Sequence, residues 1–207
     1  LVKTSPILDL LDTLRSNTTL ISLDLSNPIS AARRNHIGQK GAYAIRQLLL
    51  ETLVLAHLKL SGVFLSTESI RSIASGLVGC QSLALLDLCH TELGEEGYEL
   101  LSHAVPQAKG LTDLYLKSNR AGDVGMDIFG KVLKDEPGDC RMETLLLDSN
   151  MFTEDAGQTI FEYMQHHKCN LRHLSLSRNN LQKENAFACF QSLSTSLQLP
   201  KCPLTHL

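Results

Sequence analysis

The sequence predicts an α/β solenoid, with an inner parallel β-sheet and outer α-helices, on three observations. A motif Leu-x-x-Leu-x-Leu-x-x-Asn recurs in full at Leu111, Leu114, Leu116, Asn119, and again at Leu171, Leu174, Leu176, Asn179. Met142, Leu145, Leu147, Asn150 is a further copy, while Leu55, Leu58, Leu60 and Leu83, Leu86, Leu88 keep the leucines without the asparagine. The first positions fall at 20, 55, 83, 111, 142 and 171, with a truncated copy at Leu204 and Leu207. The intervals are therefore 35, 28, 28, 31, 29 and 33 residues. Such a period marks units that cannot bury an apolar face alone and so stack on their neighbours. The third observation is a glycine-bearing turn and an amphipathic stretch after the strand motif.

Taken in order, residues 6–15 read as a helix with Ser5 as N-cap and Pro6 at the first helical position, where its missing N–H costs nothing. The turn signature is fullest at Asn35-His36-Ile37-Gly38-Gln39-Lys40-Gly41, and returns at Thr91–Gly97 and Asn119–Gly125. Its first glycine suits a turn and its second lets the coming helix pack closely. Helical spacing follows at Ala42, Ile45, Leu48, Leu49, then Ile70, Ile73, Ala74, Leu77, then Met126, Phe129, Val132, Leu133. Steps of three and four put these groups on one face. Each unit is a short strand, a turn and a full helix. Residues 1–207 read as one array, a segment of a longer protein.

A full helix per repeat and a period of 28–29 residues resemble the ribonuclease-inhibitor-like class of leucine-rich repeats. Ribonuclease inhibitor, the sensor repeats of NOD-like receptors and Ran GTPase-activating protein belong to it. The run Ser16-Asn17-Thr18-Thr19-Leu20-Ile21-Ser22-Leu23-Asp24-Leu25-Ser26 is especially similar to its intracellular members. The resemblance implies the fold; the class itself spans inhibitors, sensors, GTPase activators and scaffolds.

The composition, 43% hydrophobic with a formal charge of -3, lacks the basic stripe that nucleic-acid binding needs. No apolar run approaches the roughly 18 residues of a membrane span. Six cysteines are present, and Cys80, Cys140, Cys169 and Cys202 lie two or three residues before a strand motif. There a small apolar group tucks under the next strand, so they read as buried thiols in a reducing, intracellular and cytoplasmic setting.

One repeat carries an insertion. The asparagine due at position 28 is replaced by Pro28, and Asn35 arrives seven residues late. The run Ser30-Ala31-Ala32-Arg33-Arg34 then bulges beside the inner sheet, either as a plain surface loop or as a binding lip carrying Arg33 and Arg34. The stretches around 135–139 and 198–201 read as linkers.

Strand alternation turns the residues between the leucines onto the concave face. Lys59 should then lie between Asp24 and Asp87, and Lys117 beside Asp148, with Leu85, Tyr115 and Leu146 as exposed apolar groups. The strand exits add Ser26, Ser61, Cys89 and Ser177. An aromatic and two leucines ringed by charge make a protein-binding patch. The expected binding residues are Asp24, His57, Lys59, Leu85, Asp87, Asp113, Tyr115, Lys117, Leu146, Asp148 and His173. Asn119, Asn150 and Asn179 read as structural, since an amide can both donate to and accept from turn backbone.

Other chemistry is weaker. His166, His167, Cys169 and His173 match no zinc spacing. Gly38-Gln39-Lys40-Gly41 lacks the Lys-Ser/Thr ending of a phosphate loop. Asn17-Thr18-Thr19 has the form of a glycosylation sequon, which an intracellular repeat also uses. The expectation is a non-enzymatic interaction module with a protein partner, no cofactor and no metal. Two alternatives come from the resemblance. Arg33-Arg34-Asn35 followed by Ile37 is similar to the arginine–asparagine segment of Ran GTPase-activating protein, which would make Arg34 act on a small GTPase; Gly38 departs from the acidic residue expected there. The other alternative is a NOD-like-receptor sensor array, which comes with an upstream nucleotide-binding domain.

Overall fold

The computed structural model describes residues 6–28, 35–135, 140–167, 169–182, 186–200 and 202–207. Helix α1 (Pro6–Leu14) leads into six strand–helix units. The strands are β1 (Ser22–Asp24), β2 (His57–Lys59), β3 (Leu85–Asp87), β4 (Asp113–Tyr115), β5 (Thr144–Leu146) and β6 (His173–Ser175). After them come α2 (Gly38–Glu51), α3 (Thr67–Gly79), α4 (Gly94–Ala104), α5 (Gly122–Asp135), α6 (Glu154–Met164) and α7 (Ala186–Gln198). The strands form one parallel sheet in chain order, and His206 continues it as a single bridge beside His173. The fold is the expected leucine-rich-repeat solenoid. Ser5 and the insertion residues Ser30–Arg34 lie outside the described residues.

The leucines between strand and helices make the core. Leu58, Leu60, Leu86, Leu114, Leu116, Leu147 and Leu174 are fully buried, as are Ala42, Ile45 and Leu49 from α2 and Phe129 from α5. Tyr98 stacks edge-on between Phe129 and Phe152, with centroids 5.7 and 6.4 Å away, and its hydroxyl donates to the Leu116 carbonyl at 3.4 Å. Burial of this kind is worth roughly 1.5–3 kcal/mol per large side chain, which is what fixes three-residue strands too short to persist alone.

The two glycines of the turn signature have separate roles. Gly94 has φ +61° and no atom within 4 Å of a hypothetical Cβ, so its backbone conformation is what requires it. At Gly97 a Cβ would come within 2.7 Å of the Leu93 side chain, so space is what requires it. Pro106 ends α4: it cannot continue the ladder of hydrogen bonds, and Val105–Gln107 tightens into a 3-10 turn.

The asparagines form a ladder across the turns. Asn150 Oδ1 accepts the N–H of Asn119 at 3.0 Å, and Asn179 Oδ1 accepts that of Asn150 at 2.8 Å. Asn119 Oδ1 in turn accepts from the N–H groups of Thr91 and Leu93. In the first repeat two residues share this work. Asn35 donates to the Leu25 carbonyl at 2.9 Å, as the late asparagine should. Asn27, which the repeat reading overlooks, accepts from Asn35 N–H and donates to the Asn35 and Gly62 carbonyls.

All six cysteines are free thiols. Cys80 and Cys140 are buried as expected, but Cys169 and Cys202 are only half-buried. The reason is position: they border a cleft of about 420 Å³ with His166, His167 and Leu199 near the last turn. Burial nevertheless pushes the Cys169 thiol up to about 11. Cys89, expected on the concave face, is buried instead. Burial and then the adjacent Asp87 carboxylate push its thiol up to about 12.

Candidate functional site

Neighbouring strands are aligned residue for residue, so the face turned away from the helices is a grid. Asp24 pairs with Lys59 and Lys59 with Asp87; Asp87 pairs with Tyr115 and Tyr115 with Leu146. The adjacent column runs His57, Leu85, Asp113, Thr144, His173. The strand phase is as read from the sequence: Leu116 is 0% exposed while Tyr115 is half-buried. Lys59 therefore lies between two carboxylates. Asp24 and His173 are exposed, and Leu85 and Leu146 stand half-buried on either side of the acidic and aromatic centre.

The carboxylates are held, not loose. Asp24 and Asp87 each accept the backbone N–H two residues on, from Ser26 and Cys89, at 2.9 Å. Partial burial works to raise the Asp24 pKa, but the Ser26 backbone and side chain, with the Lys59 charge, hold it below the usual carboxylate range. Thr112 Oγ1 donates to Asp113 Oδ2 at 2.7 Å. Lys117 Nζ lies 3.2 Å from Asp148 Oδ2, and Ser175 Oγ donates to Asp148 Oδ1 at 2.7 Å. Desolvation opposes ionisation of Asp148, and these two partners outweigh it, leaving its pKa lowered. Around Tyr115, burial and then Asp113 and Asp87 raise the phenol pKa, so it stays a neutral hydroxyl.

Some expectations fall elsewhere. His173 stacks near His206, centroids 5.4 Å apart, whereas His166 and His167 sit together at 4.2 Å at the end of α6. Among the described residues no group of three or more His, Cys, Asp or Glu is placed to hold a metal ion. Asn17 Oδ1 accepts from the N–H of Thr19 and Leu20, closing a turn. Arg33 and Arg34 lie outside the described residues. Among the described residues no helix is long and apolar enough to cross a membrane.

The structure adds a feature that the repeat reading passed over as turn. Beyond β3, β4 and β5 two non-glycine residues adopt positive φ: His90 and Glu92 at 56° and 59°, Ser118 and Arg120 at 57° and 56°, Ser149 and Met151 at 57° and 65°. A groove of about 410 Å³ runs along the strand-to-helix edge, lined by these residues together with Asn27, Pro28 and Gly62. The available signal was the pair of positions flanking each motif asparagine, polar or bulky in every copy.

Fold and face together define a leucine-rich-repeat array with a mixed apolar and charged inner sheet. No family model matches the chain. It is similar to mouse NACHT, LRR and PYD domains-containing protein 14, 31% identical over 157 residues, which is 75% of this chain and 15% of that protein. It is also similar to human NACHT, LRR and PYD domains-containing protein 7, 29% identical over 154 residues, 74% of this chain and 15% of that protein. The matched part is thus a leucine-rich-repeat-related region, and the chain spans about 15% of the length of each relative.

Proposed function

We propose that this chain is a non-enzymatic protein-interaction module, of the ribonuclease-inhibitor-like repeat type, that binds a protein partner through its concave sheet. One observation carries the reading: Leu85, Tyr115 and Leu146 stand partly exposed on a rigid parallel sheet, ringed by Asp87, Asp113, Lys117 and Asp148. Apolar anchors inside a charged rim are the anatomy of a protein interface. The hydrogen bonds to Asp24, Asp87, Asp113 and Asp148 fix the rim charges beforehand, so little side-chain entropy is lost on docking. The similarity to two NACHT, LRR and PYD domains-containing proteins supports a repeat region used for recognition. The free thiols support a reducing intracellular compartment.

The test is a quantitative capture experiment with three baits. Proteins held by the wild type should be lost with Tyr115→Ala/Leu146→Ala and retained with Tyr43→Ala, which alters an exposed residue of the helical side. An unchanged set with the concave variant, or equal loss with Tyr43→Ala, overturns the reading.

A further inference from the structure

We propose that the groove along the strand-to-helix edge binds an extended segment of a partner protein, one carrying a basic, then an acidic, then an apolar side chain. The proposal rests on the protein-binding reading above but concerns a different surface. Its two walls are the positive-φ rows: Gly62, His90, Ser118 and Ser149 on one side, Glu92, Arg120 and Met151 on the other. Because adjacent coils are spaced about 4.8 Å apart, the walls run roughly 14 Å from Gly62 to Ser149. That length takes about four steps, and so about five residues, of extended chain.

Charge selects the occupant. Glu92 and Arg120 are exposed and hold equivalent places in adjacent repeats. Among the described residues neither side chain has an ion pair or hydrogen bond, unlike Asp148 and Lys117 on the inner sheet. Two opposite charges side by side and unspent call for the reverse order in a ligand: a cation facing Glu92 and a carboxylate facing Arg120. Met151, 68% exposed, follows in the next coil and offers an adaptable apolar contact. Small residues opposite Arg120 and Met151, namely Ser118 and Ser149, leave room for a backbone, while His90 stands across from Glu92.

The groove is also preorganised. Thr91 and Leu93, on either side of Glu92, are tied to Asn119; Asn150 and Phe152, on either side of Met151, are tied to Asn179. Positive φ at non-glycine residues persists only where the surroundings over-determine it. The walls therefore do not need to be ordered by the ligand, and binding avoids that cost.

The experiment uses two synthetic peptides, acetyl-Lys-Ser-Asp-Thr-Leu-amide and the charge-swapped acetyl-Asp-Ser-Lys-Thr-Leu-amide, titrated against the whole chain by amide-resolved NMR. The first should shift the amides of residues 91–93, 118–121 and 149–152, and bind about fivefold more tightly than the second, the scale of two exposed ion pairs. The double variant Glu92→Arg/Arg120→Glu should invert that order. Equal affinity, no binding at millimolar concentration, or failure of the double variant to invert the order overturns the proposal. Shifts centred on Tyr115 and Leu146 also overturn it while leaving the concave-face reading intact. Groove binding with the expected order, alongside capture insensitive to Tyr115 and Leu146, separates the two the other way.

Discussion

The backbone N–H of Asn119 donates to the side-chain Oδ1 of Asn150, 31 residues further along the chain, at 3.0 Å. The same side chain gives its Nδ2 protons to the carbonyls of Leu116 and Leu147, at 2.8 and 3.0 Å. One buried amide thus closes its own turn and the preceding one.

Replacing it tests the ladder. Asn150→Ala leaves one buried donor and two carbonyls short of partners, each worth roughly 1–3 kcal/mol when unmet. The expected loss is about 2–5 kcal/mol, read from the urea midpoint at unchanged slope. A loss under about 0.5 kcal/mol would show that water replaces the amide.

Strand phase separates stability from recognition. Leu116→Ala should cost roughly 2–5 kcal/mol, the range for a fully buried leucine. Tyr115→Ala, one residue away, should cost under about 1 kcal/mol. Thermal unfolding of both variants checks the difference, and the reverse order would invert the assignment of every strand residue.

Periodicity made the fold legible because a step of two residues in the strand and of three or four in the helix sort side chains unambiguously. It placed Lys59 between Asp24 and Asp87 and buried Leu116 beneath Tyr115. It failed at Cys89. Alternation assigns that residue to the open face, but the thiol is buried, with the Asp87 carboxylate and Lys117 as its polar neighbours. The groove was hidden for another reason: the repeat sets Glu92 and Arg120 in equivalent places, but that both lie on a groove wall depends on the turn's positive φ, which is not written in a polar residue type. Asn27 escaped because it lies outside the repeat's register.

Thiol labelling should proceed in two classes. In the native protein at neutral pH, Cys80, Cys89, Cys140 and Cys189 should stay silent, being buried. Cys169 and Cys202, half-buried at the last cleft, should react slowly, Cys169 held back further by its raised pKa. All six should react in denaturant. Rapid native labelling of Cys140, or a disulfide at any of the six, contradicts the packing described.

Acid should weaken the fold partly through the concave face. Asp24 and Asp148 have folded pKa values below their ordinary one, so the unfolded chain binds more protons and stability rises with pH across that interval. Their contribution is complete above the unfolded carboxylate value of about 3.9 and fades as pH falls through the depressed folded values. Asp24→Asn/Asp148→Asn should flatten the stability–pH curve below about pH 4 without adding a slope near neutrality. A double variant with the wild-type acid slope would assign that slope to other groups.

The asparagine ladder also implies where the array is weakest. Asn119, Asn150 and Asn179 bind each turn to the next, but Val63 stands in the corresponding place after β2 and has no side-chain group to reach its neighbour. In an array whose stability is summed over neighbouring contacts, such a missing rivet is where a zipper opens. The expected consequence is that the join between the Val63 and Thr91 coils opens before the riveted stretch from Asn119 to Asn179, which amide exchange faster ahead of Thr91 than beyond Asn119 would show.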